Sequence, residues 1–285
     1  MNIRIKPTLL AMTLGMAISS AASADISYQH IRNATARINI AGNTFLIDPY
    51  LATKNSYPGF EGTVNSQLRN PRIDMSMPAE QVIKGIDAVI VTHTHPDHWD
   101  IAAQKLLPKN LPIFVQNAGD ARIIREQGFK DVRVLGKNTE FNHVKLTKIP
   151  GQHGTDIMYA NPKLAELAGD AMGVVMQAKG EKTLYIMGDT IWTHQIDFAL
   201  NTYHPEVIVM NTGYAQLTGF DGSIIMGTQD VAKAYKVAPT SKLITVHMDA
   251  VNHTVVSSND MRKFVKQHQL QDRVAVPKEG ETLKY

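Results

Sequence analysis

The sequence predicts a single α/β domain with two sheets between layers of helices, and three observations carry that expectation. Short β-branched apolar runs alternate with helical segments through both halves, hairpin turns crowd the first part, and no Pro-, Gly- or Ser-rich stretch divides the chain. At 285 residues with 44% hydrophobic side chains, the chain can bury a sizeable core. It has no cysteine, which excludes disulfides, thiolate metal sites and a cysteine nucleophile, so any metal must be held by histidine and carboxylate. The 29 Lys and Arg barely exceed the 26 Asp and Glu and form no dense basic run, so no nucleic-acid partner is expected.

Residues 1–24 read as a secretory signal peptide. Arg4 and Lys6 precede an apolar stretch from Leu9 to Ile18, and Ala22-Ser23-Ala24 ends the segment just before Asp25. The apolar run is shorter than the roughly 20 residues that span a bilayer, so cleavage after Ala24 is expected rather than a lasting membrane anchor. The mature domain would be residues 25–285, in the periplasm, and nearly neutral once Arg4 and Lys6 are lost.

The elements follow in order. Ala36–Ile40 and Thr44–Asp48 flank a Gly-Asn turn and read as a hairpin within an alternating stretch from Tyr28. Leu51 to Pro78 is polar and aperiodic, a long loop suited to flanking a site. Ile86–Thr92 reads as a buried strand, and Trp99–Leu107 as a helix capped by Asp97 or Asp100 and stopped by Pro108. Strands are expected at 113–116, 131–135, 144–149, 173–177, 183–187, 207–210 and 243–247. Helices are expected at 120–127, where Gly128 closes the segment, at 229–237 and at 259–267.

Chemistry concentrates directly after the strand that ends at Thr92, in His93-Thr94-His95-Pro96-Asp97-His98. Side chains two apart in an extended chain point the same way, so His93 and His95 can converge on one ion. Pro96 then turns the chain so that Asp97 and His98 can face the same cavity from the other flank. Among 11 histidines in 285 residues, a His-x-His-x-Asp-His run arises by chance about once in a thousand such chains. A metal site is therefore expected here.

With these residues the sequence resembles the metallo-β-lactamase superfamily, and three later segments extend the resemblance. Ile149-Pro-Gly-Gln-His153, Leu184-Tyr-Ile-Met-Gly-Asp189 and Leu243-Ile-Thr-Val-His247 match that family's remaining ligand loops in order. The resemblance implies an αββα sandwich with its site along one edge. It implies two divalent ions, zinc first with manganese or iron as alternatives. His93, His95 and His153 would hold one ion, Asp97, His98 and His247 the other, and Asp189 would bridge both with its two oxygens. A hydroxide shared by the ions would attack an ester-like bond, with Asp97 a candidate proton donor or simply a ligand. Without cysteine, the cysteine-liganded β-lactamases are excluded and a β-lactam substrate is not expected. Phe45-Leu-Ile-Asp-Pro49, Thr92–His98 and Glu206–Gly213 are most similar to the branch holding L-ascorbate-6-phosphate lactonase and N-acyl-phosphatidylethanolamine phospholipase D, which implies a small-molecule lactone or phosphodiester substrate.

Further residues carry lesser readings. Asp48 is either a carboxylate orienting a ligand histidine or a turn residue before Pro49. His253 rivals His247 for the last ligand position, and the strand-end setting favours His247. His143 and His194 read as surface residues or as supports to the ligands, and Tyr214, Trp192 and Phe220 as pocket-lining or simple packing. The leading function is a periplasmic hydrolase. An iron-dependent oxidoreductase of the same fold and a non-enzymatic metal- or solute-binding protein are the alternatives.

Overall fold

The computed structural model of the protein describes Met1 and residues 26–285; the rest of the expected leader, with its cleavage site, lies outside the described residues. Among them, fourteen strands form two seven-stranded sheets. The first opens with a meander, β1 (Ser27–Arg32), β2 (Thr35–Ile40) and β3 (Asn43–Ile47), joined by turns in which Asn33 and Gly42 take positive φ. After the short α1 (Ala79–Val82), the parallel strands β4 (Ala88–Val91), β5 (Ile113–Val115) and β6 (Val132–Val134) extend this sheet, with α2 (Ile101–Leu106) and α3 (Ala118–Glu126) as crossovers. β4 reads Ala-Val-Ile-Val with every residue buried, the continuous apolar run of a parallel strand covered on both faces. Its following helix begins at Ile101, capped by Asp100, whose carboxylate accepts from Ala103 N; Trp99 lies outside it and Asp97 is free for the site.

The second sheet runs from β7 (Thr139–Phe141) through β8 (Val144–Gly151), β9 (Ala171–Ala178), β10 (Leu184–Ile186), β11 (Val207–Asn211) and β12 (Lys242–Val246) to β13 (Val274–Ala275). Between β8 and β9 the chain leaves the sheet as two short helices, α4 (Asp156–Tyr159) and α5 (Pro162–Ala168). Helices α6 (His194–Tyr203), α7 (Thr228–Val237) and α8 (Ser258–Gln267) cover the outer face, packing residues such as Ile196, Val231 and Met261 against Tyr185, Ile208 and Leu243. The final strand β14 (Thr282–Lys284) crosses back to pair antiparallel with β1.

The inner faces of the sheets meet in one core containing Ile38, Phe45, Ile90 and Phe114 from the first sheet and Leu146, Val174, Ile186 and Val209 from the second. With α2 and α3 packed outside the first sheet, the layers are helix, sheet, sheet, helix, as the sequence predicts. Strands β8, β10, β11 and β12 run parallel to one another, as do β3 and β4. Their carboxyl ends lie along one edge of the sandwich, where α/β folds place ligand sites.

Candidate metal centre

Each candidate ligand follows the end of one of these strands. His93, His95, Asp97 and His98 leave β4, His153 follows β8, Asp189 follows β10 through Gly188, and His247 caps β12. Gly188 sits at φ +70, where a Cβ would collide with the carbonyl of Met172, so the turn aiming Asp189 inward requires glycine. His247 and Asp48 hold positive φ of 61° and 41° without being glycine, backbone strain of the kind concentrated at functional sites.

The side chains gather into three overlapping groups able to hold a metal: His93, His95 and His153; His93, His98 and Asp189; Asp97, His98 and His247. His93 Nε2 lies 3.0 Å from His95 Nδ1, and His98 Nε2 lies 3.0 Å from His247 Nε2. Oδ2 of Asp189 stands between the groups, 3.2 Å from His98 Nε2, 3.5 Å from His247 Nε2, 3.6 Å from His153 Nε2 and 4.0 Å from His93 Nε2. Asp97 Oδ2 completes the cluster at 3.2 Å from His247 Nε2.

Hydrogen bonds on the far nitrogens orient these rings. His98 Nδ1 pairs with Asp48 Oδ2 at 2.9 Å, His153 Nδ1 with the Ile224 carbonyl at 2.9 Å and His95 Nε2 with the Leu167 carbonyl at 2.9 Å. Thr92 donates its hydroxyl to Asp48 Oδ2, leaving its oxygen to accept from His93 Nδ1 at 3.1 Å. With these bonds on the far nitrogens, the near nitrogens of His93 and His95, and of His98 and His247, face one another across about 3 Å, an arrangement that a divalent cation between them would satisfy. The donor set of buried imidazoles and carboxylates therefore fits divalent metal.

The same crowding fixes the electrostatics of the protein alone. Burial opposes charge on His98, but the carboxylates of Asp189, Asp97 and Asp48 outweigh it and hold His98 well above the usual histidine range. Burial opposes charge on His247 too, but Asp189 and Asp97 raise it to about 9. The two cations in turn hold Asp97 and Asp189 well below the carboxylate range despite burial. Burial, reinforced by neighbouring histidines, pushes His93 far down and His95 to about 4, and burial lowers His153 as well.

Residues 43–248 match the family model described as a β-lactamase superfamily domain. The UPF0173 protein YddR of Bacillus subtilis is 41% identical over 252 residues, covering 88% of this chain and 97% of YddR. The UPF0173 metal-dependent hydrolase MJ1163 of Methanocaldococcus jannaschii is 26% identical across 75% of this chain and 89% of its own. The chain belongs to the UPF0173 metal-dependent hydrolase family of the metallo-β-lactamase superfamily. Among solved structures, this UPF0173 chain is similar to a possible metal-dependent hydrolase from Veillonella parvula, with TM-score 0.90 and 53% identity over 91% of this chain and 99% of that one. It is also similar to an isothiocyanate hydrolase from Delia radicum gut bacteria, with TM-score 0.88 and 41% identity over 91% and 99%.

The UPF0173 fold brings all seven expected residues to one place, with one difference in geometry. Asp189 does not present two oxygens to the cluster, because Asn211 at the end of β11 donates to its Oδ1 at 2.6 Å; only Oδ2 faces the histidines. Asp48 takes the orienting position on His98, and His253 stays outside the three metal-competent groups. His143 and His194 are exposed. Trp192 packs with the helices of the second sheet and Phe220 with the cluster around Ile225, and neither they nor Tyr214 line the cavity at the centre. Its wall comes instead from Phe60 in the long loop, from Leu217 and Ile224, and from Leu164 and Leu167 of α5. Asn33 is a further site residue the sequence left unmarked: its Nδ2 donates to the Asp97 carbonyl at 3.1 Å and lies 3.3 Å from both Asp97 Oδ2 and His247 Nε2.

Proposed function

We propose that the protein is an exported hydrolase with two divalent ions that cleaves small, neutral, apolar electrophiles, with isothiocyanates as the substrate class. The observation carrying this reading is the wall of the cavity. Of about 280 Å³, it opens onto His95, Asp97, His153 and Asp189, is lined mainly by Phe60, Leu164, Leu167, Leu217 and Ile224 with the carboxylate residue Glu61 beside them, and among the described residues includes no lysine or arginine. A phosphodiester would call for a cationic clamp, so the wall weighs against it. The similarity to an isothiocyanate hydrolase at 41% identity supports the same class.

Two ions, zinc first with manganese or iron as alternatives, would supply a water ionised near neutral pH and Lewis-acid polarisation of the substrate. His93, His95 and His153 would hold one, and Asp97, His98 and His247 the other, with Oδ2 of Asp189 between them. The chain's own residues supply the rest. The apolar part of the wall receives the organic group R of R–N=C=S, directing the central carbon toward the cluster. Asp97, facing the cavity, can pass a proton to the nitrogen. Addition of water turns the C=N and C=S double bonds into single bonds and makes a C=O double bond, with one water proton passing to nitrogen and the other to sulfur, and yields R–NH–C(=O)–SH. Cleavage of its C–N bond, with the thiol proton passing to nitrogen, releases R–NH2 and carbonyl sulfide. A lactone undergoes the same addition at its C=O carbon and is the second reading, supported by a wall without a cationic clamp and by the likeness of Phe45–Pro49 to the lactonase branch.

Export rests on the leader at residues 1–24. The test is a zinc-loaded preparation of residues 25–285 offered phenyl and benzyl isothiocyanate, γ-lactones and bis-p-nitrophenyl phosphate, with amine release and acid release followed. Amine release is expected to lead. Phosphodiester cleavage with the isothiocyanates untouched would overturn the reading.

A further inference from the structure

His253 follows the β12 loop on a segment that the surrounding structure immobilises. Its neighbour Asn252 is fully buried with every polar atom satisfied: the side chain accepts from Phe60 N at 3.0 Å and Asn70 Nδ2 at 2.8 Å, and donates to Thr63 Oγ1 and the Val64 carbonyl at 2.8 Å each. Thr254 on the other side donates to the carbonyls of Met248 and Val251. The His253 backbone carbonyl accepts from Gln216 N at 3.0 Å. Against this background the imidazole stands out. It is 6% exposed, its Nδ1 is buried without a partner, and neither ring nitrogen makes a hydrogen bond among the described residues. The ring meets that of Phe60 edge to face at 5.1 Å.

A rigidly held, buried ring nitrogen left unpaired costs free energy that an apolar residue of similar shape would avoid. The position explains the cost, because His253 lines the same cavity as Asp97, His153 and Asp189 while belonging to none of the metal-competent groups. We propose that His253 is a catalytic residue that donates a hydrogen bond to the substrate atom taking up electron density, the sulfur of a C=S group or the oxygen of a C=O group. As the water oxygen adds to carbon, the π pair moves onto that atom, and a preplaced N–H there favours the transition state over the bound substrate. The ring keeps its proton throughout. Phe60 packs edge to face against the ring. The proposal rests on the reading of this cavity as the substrate site.

The test compares the wild type with His253→Phe and His253→Gln, all loaded with zinc. O-methyl N-phenylthiocarbamate, a stable neutral thiocarbonyl compound, is titrated into each by calorimetry, turnover of aryl isothiocyanates is measured, and zinc per chain is determined. We expect His253→Phe to bind the thiocarbamate and turn over substrate about 10-fold or more worse, as for one lost hydrogen bond in a dry site, with unchanged zinc content. His253→Gln, which keeps an N–H donor, should recover part of both. Equal binding and turnover in the Phe variant, zinc loss in it, or no binding of the thiocarbamate by the wild type would overturn the assignment. A wild type that binds the thiocarbamate more tightly than His253→Phe but leaves isothiocyanates intact would uphold the donor and refute only the substrate class.

Discussion

Asn211 Nδ2 donates to Oδ1 of Asp189 at 2.6 Å, so that this carboxylate turns only its Oδ2 to the four histidine nitrogens around it. The amide fixes the carboxylate's rotation and occupies the oxygen that would otherwise compete for cations. Asn211→Ala should therefore keep the fold while weakening metal binding about 10- to 100-fold, the usual effect of losing a partner that orients a metal ligand. Asp189→Asn, which alters the central oxygen itself, should lower turnover by about two orders of magnitude or more. Metal titration against a competing chelator, with steady-state kinetics on the same samples, measures both. Wild-type metal affinity in Asn211→Ala would mean that the Asp189 rotamer is held by something else.

Asp48 is bonded on both oxygens. Oδ1 accepts from Thr92 N at 2.7 Å, and Oδ2 accepts from Thr92 Oγ1 at 2.7 Å and His98 Nδ1 at 2.9 Å. An asparagine offers one acceptor oxygen where the carboxylate offers two, so Asp48→Asn leaves either the Thr92 amide or the His98 ring facing an N–H. The expected outcome is a loss of about 1–3 kcal/mol in stability and a metal affinity lowered about 10-fold or more. Chemical denaturation and chelator competition read these separately. Thr92→Val, which removes only the hydroxyl relay to His93, should show a smaller loss of metal affinity than Asp48→Asn, and the reverse order would contradict this network.

The two ends of the charge scale inside the cluster give a pH signature. His98 and His247 have folded pKa values above the ordinary 6.5, so the stability they contribute is full below about 6.5 and is lost as pH rises, through about 9 for His247. His93, His95 and His153 are shifted down, so theirs is full above 6.5 and is lost as pH falls, toward about 4 for His95. Chelator-treated protein should accordingly have its highest Tm near pH 6.5 and lose stability on both sides. Metal binding needs neutral imidazoles, so uptake at pH 7 should release protons from His98 and His247, and affinity should rise between pH 7 and 9. Calorimetry in two buffers of different protonation enthalpy counts those protons. Tight binding at pH 7 with no proton release would show that the two histidines are not charged beforehand.

How much of this was legible in the sequence depends on the range over which each signal acts. The His93–His98 run is local, and strand geometry alone brings it together. His153, Asp189 and His247 are far apart in the chain but share one setting, a polar residue just past an apolar strand, and the resemblance supplied their order. Asn211 has that same setting and gave no signal, because an asparagine ending a strand also reads as an ordinary turn residue. The two short helices α4 and α5 are too brief for a 3.6-residue period to stand out, so Leu164 and Leu167 escaped notice as pocket residues. The aromatic residues Trp192 and Phe220 drew attention by type, and packing against neighbouring helices and loops explains them. The unpaired state of the His253 ring is a property of three-dimensional surroundings that no pattern along the chain encodes.

The segment between β8 and β9 joins the cavity wall and the candidate metal centre in one piece of backbone. The Leu167 carbonyl accepts from His95 Nε2 at 2.9 Å, while the Leu164 and Leu167 side chains face the cavity. The segment is anchored at both ends by Tyr159, whose hydroxyl donates to the Gly169 carbonyl at 2.8 Å and accepts from His153 N at 3.1 Å. The contact to His95 comes from the main chain, so replacing both leucines by alanine leaves the histidine's partner in place and removes only apolar wall. Each buried methylene is worth about 0.8 kcal/mol, and the two side chains are only partly covered, so the double variant should bind benzyl isothiocyanate about 5- to 10-fold more weakly. The loss should appear in KM with kcat little changed, since the wall grips the substrate equally before and during reaction. Allyl isothiocyanate, which reaches less of the wall, should lose less, and zinc content should stay at the wild-type value. Steady-state kinetics on the two substrates decides the matter: equal losses on both, or a fall in kcat accompanied by metal loss, would show that the leucines act by holding the segment on His95 rather than by contacting substrate.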